Sequence, residues 1–141
     1  MQFKNSLKFG RYAEVVVLAR IKSKYKSAYV DRKYNKFYDI IIPENNTTVE
    51  VKSDTMSNDT GNFVVEVEMP VGTPSALSVT RATWWVFYDG RMLFITPQEI
   101  KNIIQENDLS PVEFVGDGDT QKKKAYLVKK HLIEKKSTIL D

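Results

Sequence analysis

The spacing of apolar and polar residues along the chain predicts a mixture of helices and strands. Apolar residues recur every three or four positions from Asn5 to about Lys22, which is the period of an amphipathic helix. The stripe contains Leu7, Arg11, Glu14, Leu18, Ile21 and Tyr25. A second helix is predicted over Pro97–Asn107, capped by Thr96, and a short one from about Lys130. The rest of the chain must then supply strands and turns.

Most of the segment between the first two helices consists of short strand-like runs separated by turn residues. The run Phe37–Ile42 is followed by Pro43–Asn46 and then by Thr47–Lys52, which predicts a hairpin with Ile42 opposite Thr47. The continuous apolar run Trp84–Tyr88 predicts a central strand that turns through Asp89-Gly90. The other predictions are strands at 28–31, 62–69, 92–95, 111–115 and 125–128, a polar loop at 53–61 and a short helix at 75–83. We therefore expect one α/β domain over residues 1–141, with a mixed central sheet flanked by helices.

Composition removes several kinds of chemistry from consideration. The 141 residues include no Cys and one His, His131, so cysteine nucleophiles, disulfides and multi-histidine metal sites are excluded. The sequence has no long apolar run for a membrane span, and its start lacks the apolar core of a signal peptide. We expect a cytoplasmic protein whose chemistry depends on Asp, Glu, Lys, Tyr, Ser and Thr.

Charge is divided unevenly along the chain. Residues 1–38 contain ten Lys or Arg and two acids, residues 39–118 contain four against thirteen, and residues 119–141 contain seven against three. Basic ends suit a polyanion such as nucleic acid, although a solvated lysine-rich face has the same composition. An acidic middle would repel nucleic acid unless some of its carboxylates hold metal ions.

The predicted hairpin concentrates charge on one strand face. If Ile42 lies opposite Thr47, Asp39 lies opposite Glu50, and Lys52 shares the face of Glu50. Two carboxylates in an otherwise apolar sheet repel each other and lose solvation, and a divalent cation or a lysine relieves that cost. The helical stripe adds Glu14, which either joins this cluster or pairs with Arg11 or Arg81.

Asp39 followed by Glu50-Val51-Lys52 resembles the motif of the PD-(D/E)XK nuclease superfamily, whose members have the restriction-endonuclease-like fold. Glu14 on a preceding helix resembles the additional acidic ligand of many members, including archaeal Holliday junction resolvases. The stretch Val49–Phe87 is similar to small nuclease-like proteins of tailed phages, and the resemblance as a whole covers about Gly10 to Tyr88. A phage-encoded protein would act in the host cytoplasm. Tyr38 stands where the family name has Pro, a position at which that residue is often absent.

The resemblance implies a metal-dependent DNA endonuclease. Asp39, Glu50 and the backbone carbonyl of Val51 would bind Mg²⁺ or Mn²⁺, which polarises the scissile phosphate and activates water. Lys52 would orient that water or stabilise developing negative charge, and Glu14 would ligate a second metal or a metal-bound water. For the DNA itself, the predicted contacts are Arg81 and the cluster Lys122, Lys123 and Lys124.

Three alternatives stay open at this point. The first is that the protein is a Holliday junction resolvase acting on branched DNA, in which case a homodimer is expected because resolvases cut two strands symmetrically. The second is that it is a non-catalytic nucleic-acid-binding protein that kept the fold. The third is that it is a structural domain in which Lys52 bridges Asp39 and Glu50. No membrane partner is expected.

Overall fold

The computed structural model describes residues 3–31, 37–69, 72–115 and 121–141. The helices are α1 (Phe3–Lys22), α2 (Ser57–Thr60), α3 (Pro97–Glu106) and α4 (Lys130–Lys136). The strands are β1 (Tyr29–Val30), β2 (Ile40–Ile42), β3 (Thr47–Ser53), β4 (Asn62–Glu68), β5 (Trp84–Tyr88), β6 (Met92–Ile95), β7 (Val112–Phe114), β8 (Lys123–Lys129) and β9 (Thr138–Leu140). Within the described ranges, no helix combines the length and the apolar character needed to cross a membrane.

The main sheet has six strands in the order β1-β2-β3-β5-β6-β9. Strands β3 and β5 run parallel, and the other neighbours run antiparallel, so the predicted mixed sheet is confirmed. The hairpin register is confirmed as well, since Ile42 pairs with Thr47 and Ile40 with Val49. Its turn ends on Asn46 at a φ of 55°, a left-handed conformation that Asn tolerates better than most residues.

A second sheet, in the order β4-β8-β7, covers one face of the main sheet. Phe63 of β4 stacks on Phe87 of β5 with ring centroids 4.6 Å apart, which joins the two sheets. The predicted strand at 62–69 is therefore present but does not extend the main sheet. The predicted flanking helices are present, but strands form much of the layer on this face.

Two further local predictions were wrong. The predicted helix at 75–83 is a single 3-10 turn at Ala76–Ser78, and Ala76 has a φ of 44°, outside the right-handed helical region. The predicted polar loop at 53–61 contains α2, which ends on Gly61 at a φ of 76°. Both segments are too short for apolar periodicity to identify their conformation.

The main sheet separates two apolar cores. On one face, α1 packs over β2, β3 and β5 through Val17, Ile40, Val49 and Val86. On the other face, Trp85 and Phe87 meet β4 and β8, and the end of this core is closed by α3 and α4. Successive residues of β3 and β5 therefore point into different layers, as the two-residue period of a strand requires.

Helix α1 lies slightly rotated from the predicted orientation. From Phe9 onward, the buried residues of α1 are Ala13, Val17 and Ile21, whereas Arg11 is exposed and Glu14 is half-buried at the border of the packed face. The predicted stripe mixed this face with its neighbour, because residues three apart and four apart both lie close on a helix. Glu14 therefore lies at the edge of the core.

Candidate functional site

Strand β3 presents Glu50 and Lys52 on the sheet face that carries Trp85 and Phe87. The parallel register pairs Glu50 with Trp85 and Lys52 with Phe87. The Lys52 Nζ atom lies 3.4 Å from Glu50 Oε1, and the two side chains are 29% and 14% exposed. The same ammonium lies 5.3 Å from the centroid of the Trp85 ring, within the range of a cation–π contact. These two side chains therefore form a charged pair on a largely desolvated surface.

Asp39 completes the hydrogen bonding of β3 where β2 ends. The last residue pair of that hairpin is Ile40 with Val49, and the Asp39 N–H donates to the Val49 carbonyl over 2.8 Å. The Asp39 carboxylate then accepts the N–H of Val51 at Oδ2 over 2.7 Å. The side chain thus replaces the backbone carbonyl that a longer β2 would supply. This contact fixes the Asp39 carboxylate beside β3, close to Glu50 and Lys52.

Glu14 approaches the same cluster from α1. The helix passes the end of β3 at Gly10, where a Cβ would lie 3.9 Å from Ser53 Oγ. Glu14 lies one helical turn further along α1. The charge of Glu14 raises the pKa of the Glu50 carboxyl, after the larger effects of desolvation, Lys52 and Asp39. Asp39, Glu50 and Lys52 therefore lie together, with Glu14 at the margin of the group.

The cluster is electrostatically under-compensated. The pKa of Glu50 is raised to about 7, mainly by desolvation. The charge of Lys52 and its hydrogen bond lower this pKa, whereas the charges of Asp39 and Glu14 raise it. Desolvation also raises the pKa of Asp39, against the Val51 hydrogen bond and the charge of Lys52. One lysine thus does not offset the cost of placing these carboxylates together, and a further cation would.

Thr80 connects the cluster to the segment that precedes Asp39. Its Oγ1 accepts the indole N–H of Trp85 over 3.0 Å and donates to the Phe37 carbonyl over 3.3 Å. Next to it, the guanidinium of Arg81 lies 4.4 Å from the centroid of the Phe37 ring. Arg81 is exposed, and its N–H also donates to the Phe37 carbonyl. The predicted DNA contact Arg81 is therefore held against a residue two positions from Asp39.

The predicted lysine cluster lies on the second sheet, where acidic neighbours accompany it. Lys122 Nζ is 3.7 Å from Glu113 Oε2, and Lys124 Nζ is 3.8 Å from Glu68 Oε2. Lys123 pairs with Phe114 across the strands β8 and β7. Ion pairs this exposed contribute little free energy, so these ammonium groups can exchange a carboxylate for a phosphate at small cost.

The donor set suits a hard divalent cation that keeps part of its coordination for other ligands. Among the described residues, no three His, Asp or Glu side chains are already grouped closely enough to hold a metal ion. Mg²⁺ is commonly bound by one or two carboxylates together with water and substrate phosphate, and Asp39 and Glu50 supply that number. The Val51 N–H and Lys52 each engage one carboxylate oxygen, which uses only part of the capacity of each group.

Sequence reasoning missed a second charged group, which is centred on Asp89. This carboxylate is 2.9 Å from Arg91 Nη2 and 2.7 Å from Lys130 Nζ, and its side chain is 2% exposed. Arg91 also contacts Glu134 over 2.9 Å, and Lys130 donates to Asn58 Oδ1 over 2.8 Å. Asp89-Gly90 had indicated only a turn. Lys130, which contacts Asp89, and Glu134, which contacts Arg91, are distant in the sequence, so no local pattern could reveal them.

Comparison of the chain with protein-family models, with curated proteins and with solved structures found no match. The functional argument therefore depends on the residues and their geometry.

Proposed function

We propose that the protein is a divalent-metal-dependent DNA endonuclease with a restriction-endonuclease-like site at Asp39, Glu50 and Lys52. One observation carries the proposal: two carboxylates and a lysine meet on one desolvated sheet face, and the lysine leaves the pKa of Glu50 at about 7. A purely structural ion pair gains nothing from a second buried carboxylate, which adds repulsion. A site for a cation and a phosphate requires this excess of negative charge.

Each residue has a role that its position permits. Asp39 and Glu50 would hold Mg²⁺ or Mn²⁺ together with the Val51 carbonyl, and Glu14 would hold a second ion or a water bound to the first. The ion, when bound, supplies Lewis-acid activation of the phosphate and of water. Lys52 stays on Trp85, where it can orient the attacking water or offset charge that develops on the phosphate. Arg81 and Lys122–Lys124 would contact the DNA backbone.

Cleavage of supercoiled plasmid and of labelled four-way junctions, with Mg²⁺ or with EDTA, tests the proposal. Asp39→Asn, Glu50→Gln and Lys52→Ala should each lower the cleavage rate by about 100-fold or more, the scale for removing a group that acts on transition-state charge. Preference for the junction over linear duplex would identify a resolvase, for which a homodimer is expected.

Exposed residues of α3 supply the matched controls. Lys101→Ala and Glu106→Gln make the same chemical changes outside the cluster and should leave the rate unchanged. Circular dichroism of each variant checks that the fold is retained. A Lys52→Ala protein that cleaves at the wild-type rate would rule out the proposed mechanism.

A non-catalytic DNA-binding protein is the second candidate. The observation that favours it is that Asp39 and Glu50 already have partners, the Val51 N–H and Lys52, which give both residues a structural role. This candidate predicts that the wild-type protein binds DNA in Mg²⁺ or Mn²⁺ without cutting it, and that Asp39→Asn leaves the affinity unchanged.

A further inference from the structure

A cavity of about 370 Å³ lies on the face of the main sheet opposite to the acidic cluster. It opens beside the end of α1, above β2, β3, β5, β6 and β9. Sites for small molecules occupy about 300–1,000 Å³ and are mostly apolar with a few polar groups. The size of this cavity therefore falls within the range of small-ligand sites.

The wall of the cavity is apolar and largely fixed by the fold. Ile21, Ile42 and Val49 are buried residues of the core under α1, and they form its floor. Trp84, Phe94 and Leu140 are only partly buried and pack against that core. These side chains offer a ligand a hydrophobic surface that the protein does not itself fill.

The charged groups of the cavity are of one sign. Arg20, in the last turn of α1, and Lys24, two residues beyond its end, contribute to the lining, and none of the described lining residues is acidic. Arg20 contacts Ser23 Oγ through one guanidinium nitrogen, which leaves donors for a second partner. An arginine fork matches a carboxylate, and a lysine adds a point charge.

We propose that this cavity binds a small carboxylate with an apolar body, such as a medium-chain fatty acid. The apolar part would lie over Trp84 and Leu140, and the carboxylate would meet Arg20 and Lys24. The site is separate from the proposed nuclease centre, because Val49 lines the cavity while its neighbour Glu50 faces the opposite layer. The inference therefore stands whether or not the protein cleaves DNA.

Calorimetry with octanoate and with 1-octanol, which share a chain and differ in charge, provides the test. Octanoate should bind saturably with one site per chain and at least tenfold more tightly than 1-octanol. Arg20→Gln with Lys24→Gln should reduce octanoate affinity about tenfold and leave 1-octanol unchanged. Lys22→Gln with Lys26→Gln removes two exposed charges from the same end of α1, outside the cavity lining, and should change neither.

Two further readouts locate the ligand. Thr138→Trp, on the exposed edge strand β9, should fill the cavity and abolish binding of both compounds, with circular dichroism to check folding. The second readout is the NMR spectrum of the amide and indole N–H groups of the wild-type protein. Octanoate should shift the indole signal of Trp84. It should not shift that of Trp85, whose indole N–H donates to Thr80 in the other layer. The inference is overturned by absence of saturable octanoate binding, by equal affinity for 1-octanol, or by an unmoved Trp84 signal.

Discussion

The groups centred on Glu50 and on Asp89 both place carboxylates beside a lysine, with opposite electrostatic results. At Asp89, hydrogen bonds from Arg91 and Lys130 overcome the desolvation of the carboxylate and lower its pKa to about 2. At Glu50, desolvation prevails over Lys52 and the pKa rises to about 7. The difference lies in the count of cations: two contact Asp89, whereas Lys52 is shared by Glu50 and Asp39. A balanced group stabilises the fold, and an unbalanced one has capacity for a ligand.

Neutralising Asp89, the centre of the balanced group, should produce the largest change in the free energy of unfolding. Asp89→Asn leaves the charges of Arg91 and Lys130 without their shared partner, so the free energy of unfolding should fall by about 3 kcal/mol, near the lower end for a broken buried ion pair. Urea denaturation followed by circular dichroism measures it. Asp59→Asn, the same change at an exposed residue of α2, should have almost no effect. Equal stability of the two variants would remove the contrast between the groups.

Acid should change the stability contributed by the two groups in opposite directions. The pKa of Asp89 is below its usual value of 3.8, so the stability it contributes is complete above that value and is lost as pH falls toward about 2. The loss should be about 2 kcal/mol, from 1.36 kcal/mol per pKa unit. The Glu50 pKa is above its usual value, so its contribution in EDTA improves as pH falls from about 7 to 4.5.

Chemical denaturation between pH 8 and pH 2, repeated on Asp89→Asn and Glu50→Gln, separates these contributions. The first variant should lose the acid-side slope and the second the slope near neutral pH. If both variants reproduce the wild-type dependence of the unfolding free energy on pH, the assignment of the two slopes to Asp89 and Glu50 is contradicted.

The smallest change in stability is expected for substitution of Asp39, and it should be a gain where substitution of Asp89 gives a loss. Asn keeps an oxygen that can accept the Val51 N–H while it removes one of the repelling charges. In EDTA, Asp39→Asn should therefore be as stable as wild type or more stable by about 1 kcal/mol. Added Mg²⁺ should raise the melting temperature of wild type, since it binds the folded state, and should not raise that of the variant.

Thermal melts of both proteins in EDTA and in Mg²⁺ decide the matter. A destabilised Asp39→Asn, together with no Mg²⁺ or Mn²⁺ shift in wild type, would indicate that Lys52 merely bridges two carboxylates and would leave the nuclease proposal without physical support.

The sequence was informative where structure depends on near neighbours. The turn at Pro43–Asn46 sets the register of the β2–β3 hairpin, and from this register the sequence alone predicts Asp39 beside Glu50. Thr96 caps α3 as predicted, accepting the N–H of Glu99. These features depend on residues a few positions apart, whose preferences combine in the same direction.

What the sequence did not reveal depends on distant partners. Strand β4 was recognised, yet its pairing of Phe63 with Val128 could not be read from either segment alone. The contact between Asp39 and the Val51 N–H was missed for a different reason. The alternation of residues along a strand predicts which face of the sheet a side chain occupies, but it does not predict that a side chain will accept a backbone hydrogen bond where the pairing of two strands ends. The position of Glu14 at a helix border likewise required the packed orientation of α1.

The long separation between paired strands also governs how the molecule folds during its synthesis. The partner of β4 is β8, more than fifty residues later, and the edge of β6 is covered by β9. A nascent chain that ends before β8 therefore exposes one edge of β4 and leaves Phe63 and Val65 without their opposite strand. Closing loops of this length is entropically costly and slow, and an unpaired strand edge is prone to association. Until β8 and β9 have been synthesised, such an intermediate exposes the kind of apolar surface and unpaired strand edge against which chaperones protect nascent chains.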